Sequence, residues 1–174
     1  MQKGEKSKME VIIEEAIPEY AKERIEYSKR IGSETDNLSF GKEGFPISVE
    51  DEKKYIRAIR NDDKSVEYFA WKNGVLIGSA SLSGLPRRMN HRATLGLTVI
   101  KAEWNNGIGT RLLEKVIGYA KQHAIEIIDL EVRSDNVRAI HLYQKFGFVK
   151  IGTFPKYFKI GNSYADCDIM YLDL

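Results

Sequence analysis

The chain has 174 residues, 27 Lys plus Arg against 25 Asp plus Glu, and a single cysteine, Cys167. That length suits one domain burying about two thirds of its unfolded surface, and the near balance of charge gives no global field toward nucleic acid or an acidic membrane. No apolar run approaches the roughly twenty residues that cross a bilayer, and one cysteine excludes an intramolecular disulfide and favours a reducing compartment, so a cytoplasmic protein without nucleic-acid or membrane partners is expected.

Residues 1–8 are polar, lack a signal-peptide core and are expected to be a flexible start, with residues 9–174 forming one domain. Met9 to Ala16 contains Val11-Ile12-Ile13 and predicts a first strand. Pro18 fits the opening turn of a helix running to about Arg30. Gly32 to Phe45 is rich in Gly, Ser, Asn and charge; it reads as a solvated connector, with folding over a substrate mouth as the alternative. Ser48 ahead of Glu50, Asp51 and Glu52 opens a second helix ending near Arg60. Tyr68 to Trp71 and Leu76 to Leu82 flank Lys72-Asn73-Gly74-Val75, whose Asn-Gly predicts a hairpin. The basic stretch Arg87 to Arg92 reads as a solvated turn, or else as an electrostatic handle for a substrate or a phosphate.

Thr94 to Ile100 is short and apolar, as a mostly buried strand should be. It hands over, through Trp104-Asn105-Asn106-Gly107-Ile108-Gly109-Thr110, to a helix whose apolar stripe is Ile108, Leu112, Val116 and Ala120, with Leu113 and Ile117 beside them. Unpaired amides in a helix's first turn and the positive end of its dipole attract phosphate oxygens, and glycine lets a ligand approach the main chain. No Gly-Lys-Ser/Thr triplet follows, which excludes a Walker A loop. Leu112 stands where a dinucleotide fingerprint needs its third glycine. Further on comes the strand Ile127 to Arg133, then Asn136-Val137-Arg138-Ala139, then Leu142-Tyr143-Gln144-Lys145-Phe146-Gly147-Phe148, with Gly147 placed as a left-handed helix cap. Phe148 to Phe154 and Tyr164 to Leu172 read as two strands joined through Lys159 to Asn162. The order of elements argues for a mixed, twisted α/β sheet with helices on both faces.

The glycine loop and the Asn-x-x-Ala…Leu-Tyr-x-Lys-x-Gly-Phe segment, in that order and roughly thirty residues apart, resemble the two halves of the GCN5-related N-acetyltransferase (GNAT) signature. The resemblance covers about Ala70 to Leu172. It implies a sandwich whose two central parallel strands splay apart, and acetyl-CoA as cosubstrate. It implies transfer of an acetyl group to a primary amine, with a small molecule as the leading acceptor. A protein N terminus or lysine, or a non-catalytic acyl-CoA-binding module, are the alternatives, and a homodimer stays open.

The resemblance also implies roles. Asn105, Asn106, Gly107 and the amides of Ile108, Gly109 and Thr110 would cradle the pyrophosphate. Leu97, Thr98 and Val99 would pair with pantetheine as another strand would, the Val99 amide polarising the thioester carbonyl. Asn136 would bind the cofactor arm, its alternative being a plain helix start. Tyr143, two turns on, would protonate the departing thiolate, its alternative being core packing. Two departures stand out. Trp104 replaces the Arg or Gln many members carry three residues before the first loop glycine, and reads as an apolar plug under the loop. The central strand shows Ala93-Thr94-Leu95 where relatives often place a Glu, leaving the base unassigned. Asp166 and Asp168 alternate onto one strand face and could bind an amine or serve a turn. Cys167 reads as a small filler. His91, His123 and His141 lack metal-ligand spacing, so no metal is expected.

Overall fold

The computed structural model describes residues 10–174, so the expectation for residues 1–8 lies outside it. Among the described residues, seven strands build one sheet: β1 (Val11–Glu15), β2 (Val66–Lys72), β3 (Val75–Gly84), β4 (Arg92–Val99), β5 (Ile127–Arg133), β6 (Val149–Ile160) and β7 (Ser163–Asp173). Their order is β1-β2-β3-β4-β5-β7-β6, antiparallel throughout except between β4 and β5. Four helices cover it: α1 (Ala21–Glu34), α2 (Val49–Arg60), α3 (Ile108–Gln122) and α4 (Val137–Lys145). No helix among the described residues is long and apolar enough to cross a membrane.

The local signals are met in detail. Asn73 and Gly74 both have positive φ, 52° and 73°, as the tight turn of the β2–β3 hairpin demands. Ser48 caps α2, its hydroxyl accepting from Asp51 N at 3.1 Å. The α3 stripe buries Leu112, Leu113, Val116 and Ala120 completely, while Ile117 stays half-buried. Gly78 of β3 lies under this helix: a β-carbon there would stand 3.0 Å from Leu112 and 3.2 Å from Ile108. Its neighbour Ser79 faces the opposite layer and donates to Glu67 at 2.9 Å. The sheet is therefore sandwiched, with α3 on one face and α1 with α2 on the other. Several elements run longer than their sequence signals, among them β2 and β3. Helix α1 continues to Glu34, and β6 reaches Ile160 through an irregularity between Phe154 and Phe158, leaving Gly161-Asn162 as the turn into β7.

Strands β4 and β5 pair over three residues only, Arg92 with Ile127, Ala93 with Ile128 and Thr94 with Asp129. Asp129 pins the last pair by accepting from Thr94 Oγ1 at 2.9 Å and from the Arg92 guanidinium at 2.7 Å. Beyond it the strands part. Arg92 thus leaves the basic turn to which its sequence neighbours assign it and braces the foot of the gap.

A buried charged cluster holds α1 and α2 to the sheet. Arg24 donates through Nε to both oxygens of Glu67, at 3.0 and 2.9 Å, and through a terminal nitrogen to Glu52 at 2.7 Å. It also sits over the rings of Phe45 and Tyr55. Glu52 has no exposed surface and its Oε2 has no hydrogen-bond partner among the described residues, so burial pushes its carboxyl above the ordinary range against the pull of Arg24. Arg24→Met is expected to cost about 3 kcal/mol or more in urea unfolding, because two carboxylates are left facing each other. Glu52 binds its proton more tightly folded than unfolded. Its contribution is thus complete below the unfolded carboxylate pKa and is lost as pH rises through the raised folded value. The stability of wild type relative to Glu52→Gln should fall over that interval; a flat difference between pH 4 and 7 would show the carboxyl to be unshifted.

Candidate active site

A cavity of about 590 Å³ fills the gap between β4 and β5 and extends to α3, α4, β6 and the segment after α1. Its β4 wall follows from the ladder on the other side. Leu85 N donates to Arg92 O at one end of the β3–β4 pairing and Ile100 N to Ile77 O at the other. Antiparallel alternation then turns even-numbered residues of β4 to β3, and the N–H and C=O of Leu95, Leu97 and Val99 to the gap. Thr98 sends its main chain to β3 and shares a side-chain hydrogen bond of 2.9 Å with Tyr27. Strand-like pairing with a ligand therefore falls to Leu97 and Val99.

The glycine loop opens α3 at the edge of the cavity. Gly107 is the N-cap of α3 with φ 77° and contributes no side chain, and the first intrahelical bond runs from Arg111 N to Gly107 O. The amides of Ile108, Gly109 and Thr110 consequently have no intrahelical acceptor, and all three residues line the cavity with Asn105 and Gly107. Asn106 does not line it; its amide donates to Glu103 at 3.1 Å. A β-carbon on Gly109 would stand 3.1 Å from Leu142 Cδ2, so this glycine also sets how closely α4 docks on α3. Trp104 is a wall rather than a plug. Its Nε1 donates to Val99 O at 2.8 Å, leaving the Val99 N–H facing the gap, and the Arg138 guanidinium stacks 3.6 Å from its ring centroid.

Asn136 caps α4, its carbonyl accepting from Ala139 N at 3.4 Å, and it also lines the cavity. Tyr143 lines the cavity 6% exposed, and no hydrogen bond from a described residue engages its hydroxyl. Burial pushes that phenol well above its usual pKa, so it stays protonated across the neutral range. Neither sequence-flagged aspartate reaches the cavity. Asp166 accepts from Lys156 N, and Asp168 is buried among Ser134, Thr153 and Lys150. Burial alone would raise the Asp168 carboxyl, but hydrogen bonds from Ser134, Lys150 and Thr153 outweigh it and hold it below its usual range. Cys167 is fully buried and its thiol is pushed up, as a filler.

Glu131 went unflagged in the sequence, and the default reading of residues 32–45 does not hold. Glu131, on β5 two residues past the pin, lines the cavity and accepts from the Tyr157 hydroxyl at 2.5 Å. That hydrogen bond pushes the Tyr157 phenol up to about 12, keeping it a donor. The signal was the alternation Asp129, Glu131, Arg133 in the strand leading into the second motif. The segment between α1 and α2 is also not a solvated connector. Asn37, Leu38, Ser39 and Phe40 form part of the cavity wall. Gly32 lets it lie against α1, since a β-carbon there would fall 1.8 Å from Gly41 O. Among the described residues no group of three or more His, Cys, Asp or Glu is placed to hold a metal ion.

Residues 33–148 match the model of the acetyltransferase (GNAT) family. The chain is 33% identical over 99 residues to the N-alpha-acetyltransferase RimI of Mycobacterium tuberculosis, covering 55% of this chain and 60% of that one. It is 30% identical over 100 residues to the L-amino acid N-acetyltransferase AaaT of Escherichia coli, covering 56% and 62%. The match thus spans less than two thirds of either curated relative. A solved acetyltransferase of the GNAT family from Streptococcus pneumoniae superposes with a TM-score of 0.92 at 30% identity, over 95% of this chain and 100% of that one.

Gly109→Val is expected to press on Leu142 and lift α4 from the helix start. Overpacking of this kind costs about 1–3 kcal/mol of folding stability, and the displaced wall should weaken CoA binding in calorimetry. Unchanged affinity in a folded variant would show that the helix start does not carry the ligand.

Proposed function

This chain belongs to the acetyltransferase (GNAT) family, and we propose that its unit over residues 9–174 transfers the acetyl group of acetyl-CoA to a primary amine. The observation that carries the proposal is the convergence in one cavity of three open helix-start amides, two free β4 amides, a protonated phenol and a carboxylate. Each meets a requirement of acyl transfer from sulfur to nitrogen: anion binding, alignment, a proton donor and a proton acceptor.

The amides of Ile108, Gly109 and Thr110 would hold the pyrophosphate, and Leu97 would pair with the pantetheine arm. Asn136 reaches the same space from the start of α4. The Val99 N–H, singled out because Trp104 occupies its carbonyl, polarises the thioester carbonyl. Glu131 takes a proton from the acceptor's ammonium and releases it to solvent. The nitrogen lone pair forms the new C–N bond, and the C–S bond breaks with its electrons on sulfur. Tyr143 gives its proton to that sulfur, and the second proton lost by nitrogen restores the phenol. A missing acid on β4 left a non-catalytic binding module open; Glu131 supplies a carboxylate from the neighbouring strand and favours the enzyme. A buried lone cysteine is compatible with a reducing compartment, so the proposal places the protein in the cytoplasm.

Release of free thiol from acetyl-CoA, screened against amine panels and peptide pools, tests the proposal directly. Tyr143→Phe keeps the ring and removes the donor, so acetyl-CoA affinity should hold while kcat falls about 10²-fold, the low end for a general acid because a thiolate already leaves well. Glu131→Gln should lower kcat/KM by roughly 10²–10³-fold while acetyl-CoA affinity holds. Acetyl-CoA binding without turnover of any amine, in wild type and variants alike, would return the chain to a binding module.

A further inference from the structure

Glu131 borders a second cavity, of about 630 Å³, lined by residues of β5, β6 and β7 and of the turn into β4. Ile127, Ile151, Ile169 and Tyr171 form its apolar walls, and Met89 and His91 close its far end. Ile151 is 65% exposed and Met89 45%, so the surface is open as well as apolar. Along β5 the floor runs from Glu131 through Asp129 to Ile127, four residues at about 3.3 Å each, or about 13 Å. That is room for roughly four residues of extended chain.

We propose that this groove holds the N-terminal segment of a polypeptide acceptor, its α-amine at Glu131 and the next residues running along β5 with apolar side chains against Ile151, Ile169 and Tyr171. The inference rests on the first cavity being the acetyl-transfer site. Three observations favour this occupant. The carboxylate at the junction complements one ammonium, and the other floor carboxylate, Asp129, is already engaged by Arg92 and Thr94, so a polyamine finds no second anion. A one-residue amine would leave the length of the groove empty. A second copy of the chain, seated by its apolar surface, would bury Glu131 without a cation, which is costly. At the far end the His91 ring, engaged by no described residue, can meet peptide backbone groups with either nitrogen.

The test compares a tetrapeptide bearing apolar residues at positions two and three with the amide of its first residue alone. The peptide should have a kcat/KM at least about tenfold higher, expressed in KM, since about 1.4 kcal/mol of apolar contact gives that factor. In Ile151→Glu the two acceptors should become equal to within about twofold. Isoleucine methyl resonances of Ile127, Ile151 and Ile169 should move on adding the peptide to the CoA complex. Equal constants for the two acceptors in wild type, or a peptide that moves none of these methyls, would overturn the groove. So would a dimer that Ile151→Glu dissociates with acceptor preference unchanged, which would make this face a contact between copies. Calorimetry keeps the two readings apart: acetyl-CoA binding without peptide preference overturns the groove alone, whereas no acetyl-CoA binding overturns the transfer reading beneath it.

Discussion

The structure turns on the place where β4 and β5 stop pairing. Asp129 accepts from Thr94 and Arg92 at the last shared register, and past it each strand has backbone groups with no strand opposite. In a closed sheet Leu97 and Val99 would be consumed by a neighbouring ladder. Here they form the lining of a cavity, and unpaired main-chain groups are tolerated only because the space is open to solvent and to a ligand that offers its own amides.

The two faces of that gap are furnished by different elements. On one side α3 presents its bare first turn and α4 docks against it at the distance Gly109 permits. Trp104 ties both to the strand, reaching Val99 through its indole N–H and α4 through the Arg138 guanidinium on its ring. On the other side the segment after α1 lies against the helix because Gly32 leaves room for Gly41. The Arg24 cluster in turn fixes α1 and α2 to β2 and β3. A ligand entering from the α3 side and one entering from the open β5–β7–β6 face would meet only where the sheet is split.

What could be read from the chain beforehand depends on how local its physical cause is. The β2–β3 hairpin is specified by two residues able to take positive φ, and the α3 stripe by spacing alone; the turn and the start of α3 fall where expected, while β2 and β3 run one or two residues longer at each end. The phosphate-loop glycines and the Asn136–Tyr143 spacing are equally local, since one turn or one helix places them. By contrast, the role of Glu131 depends on Tyr157, 26 residues away on a strand whose irregularity at Phe154–Phe158 no periodicity reveals. Arg92 and Asp129 are 37 residues apart, and the Arg24 cluster joins residues up to 43 apart. The wall formed by Leu38 and Phe40 was only the second reading of its segment, because a stretch rich in Gly, Ser and charge looks solvated until a close glycine approach packs it down.

Depth also separates the two groups that the proposed transfer uses as acid and base. Tyr143 lies deep, with burial as the cause of its raised pKa and no partner for its hydroxyl among the described residues, so its proton is retained until a better acceptor arrives beside it. Glu131 lies at the exposed rim and already receives a hydrogen bond from a phenol that remains a donor to about pH 12. A buried phenol is stabilised in its neutral form, so the depth of Tyr143 alone keeps its proton in place. Glu131 differs by position: it stands exposed at the rim, where an acceptor arriving from solvent would meet it before reaching the phenol. The split between β4 and β5 thus separates the two groups by depth.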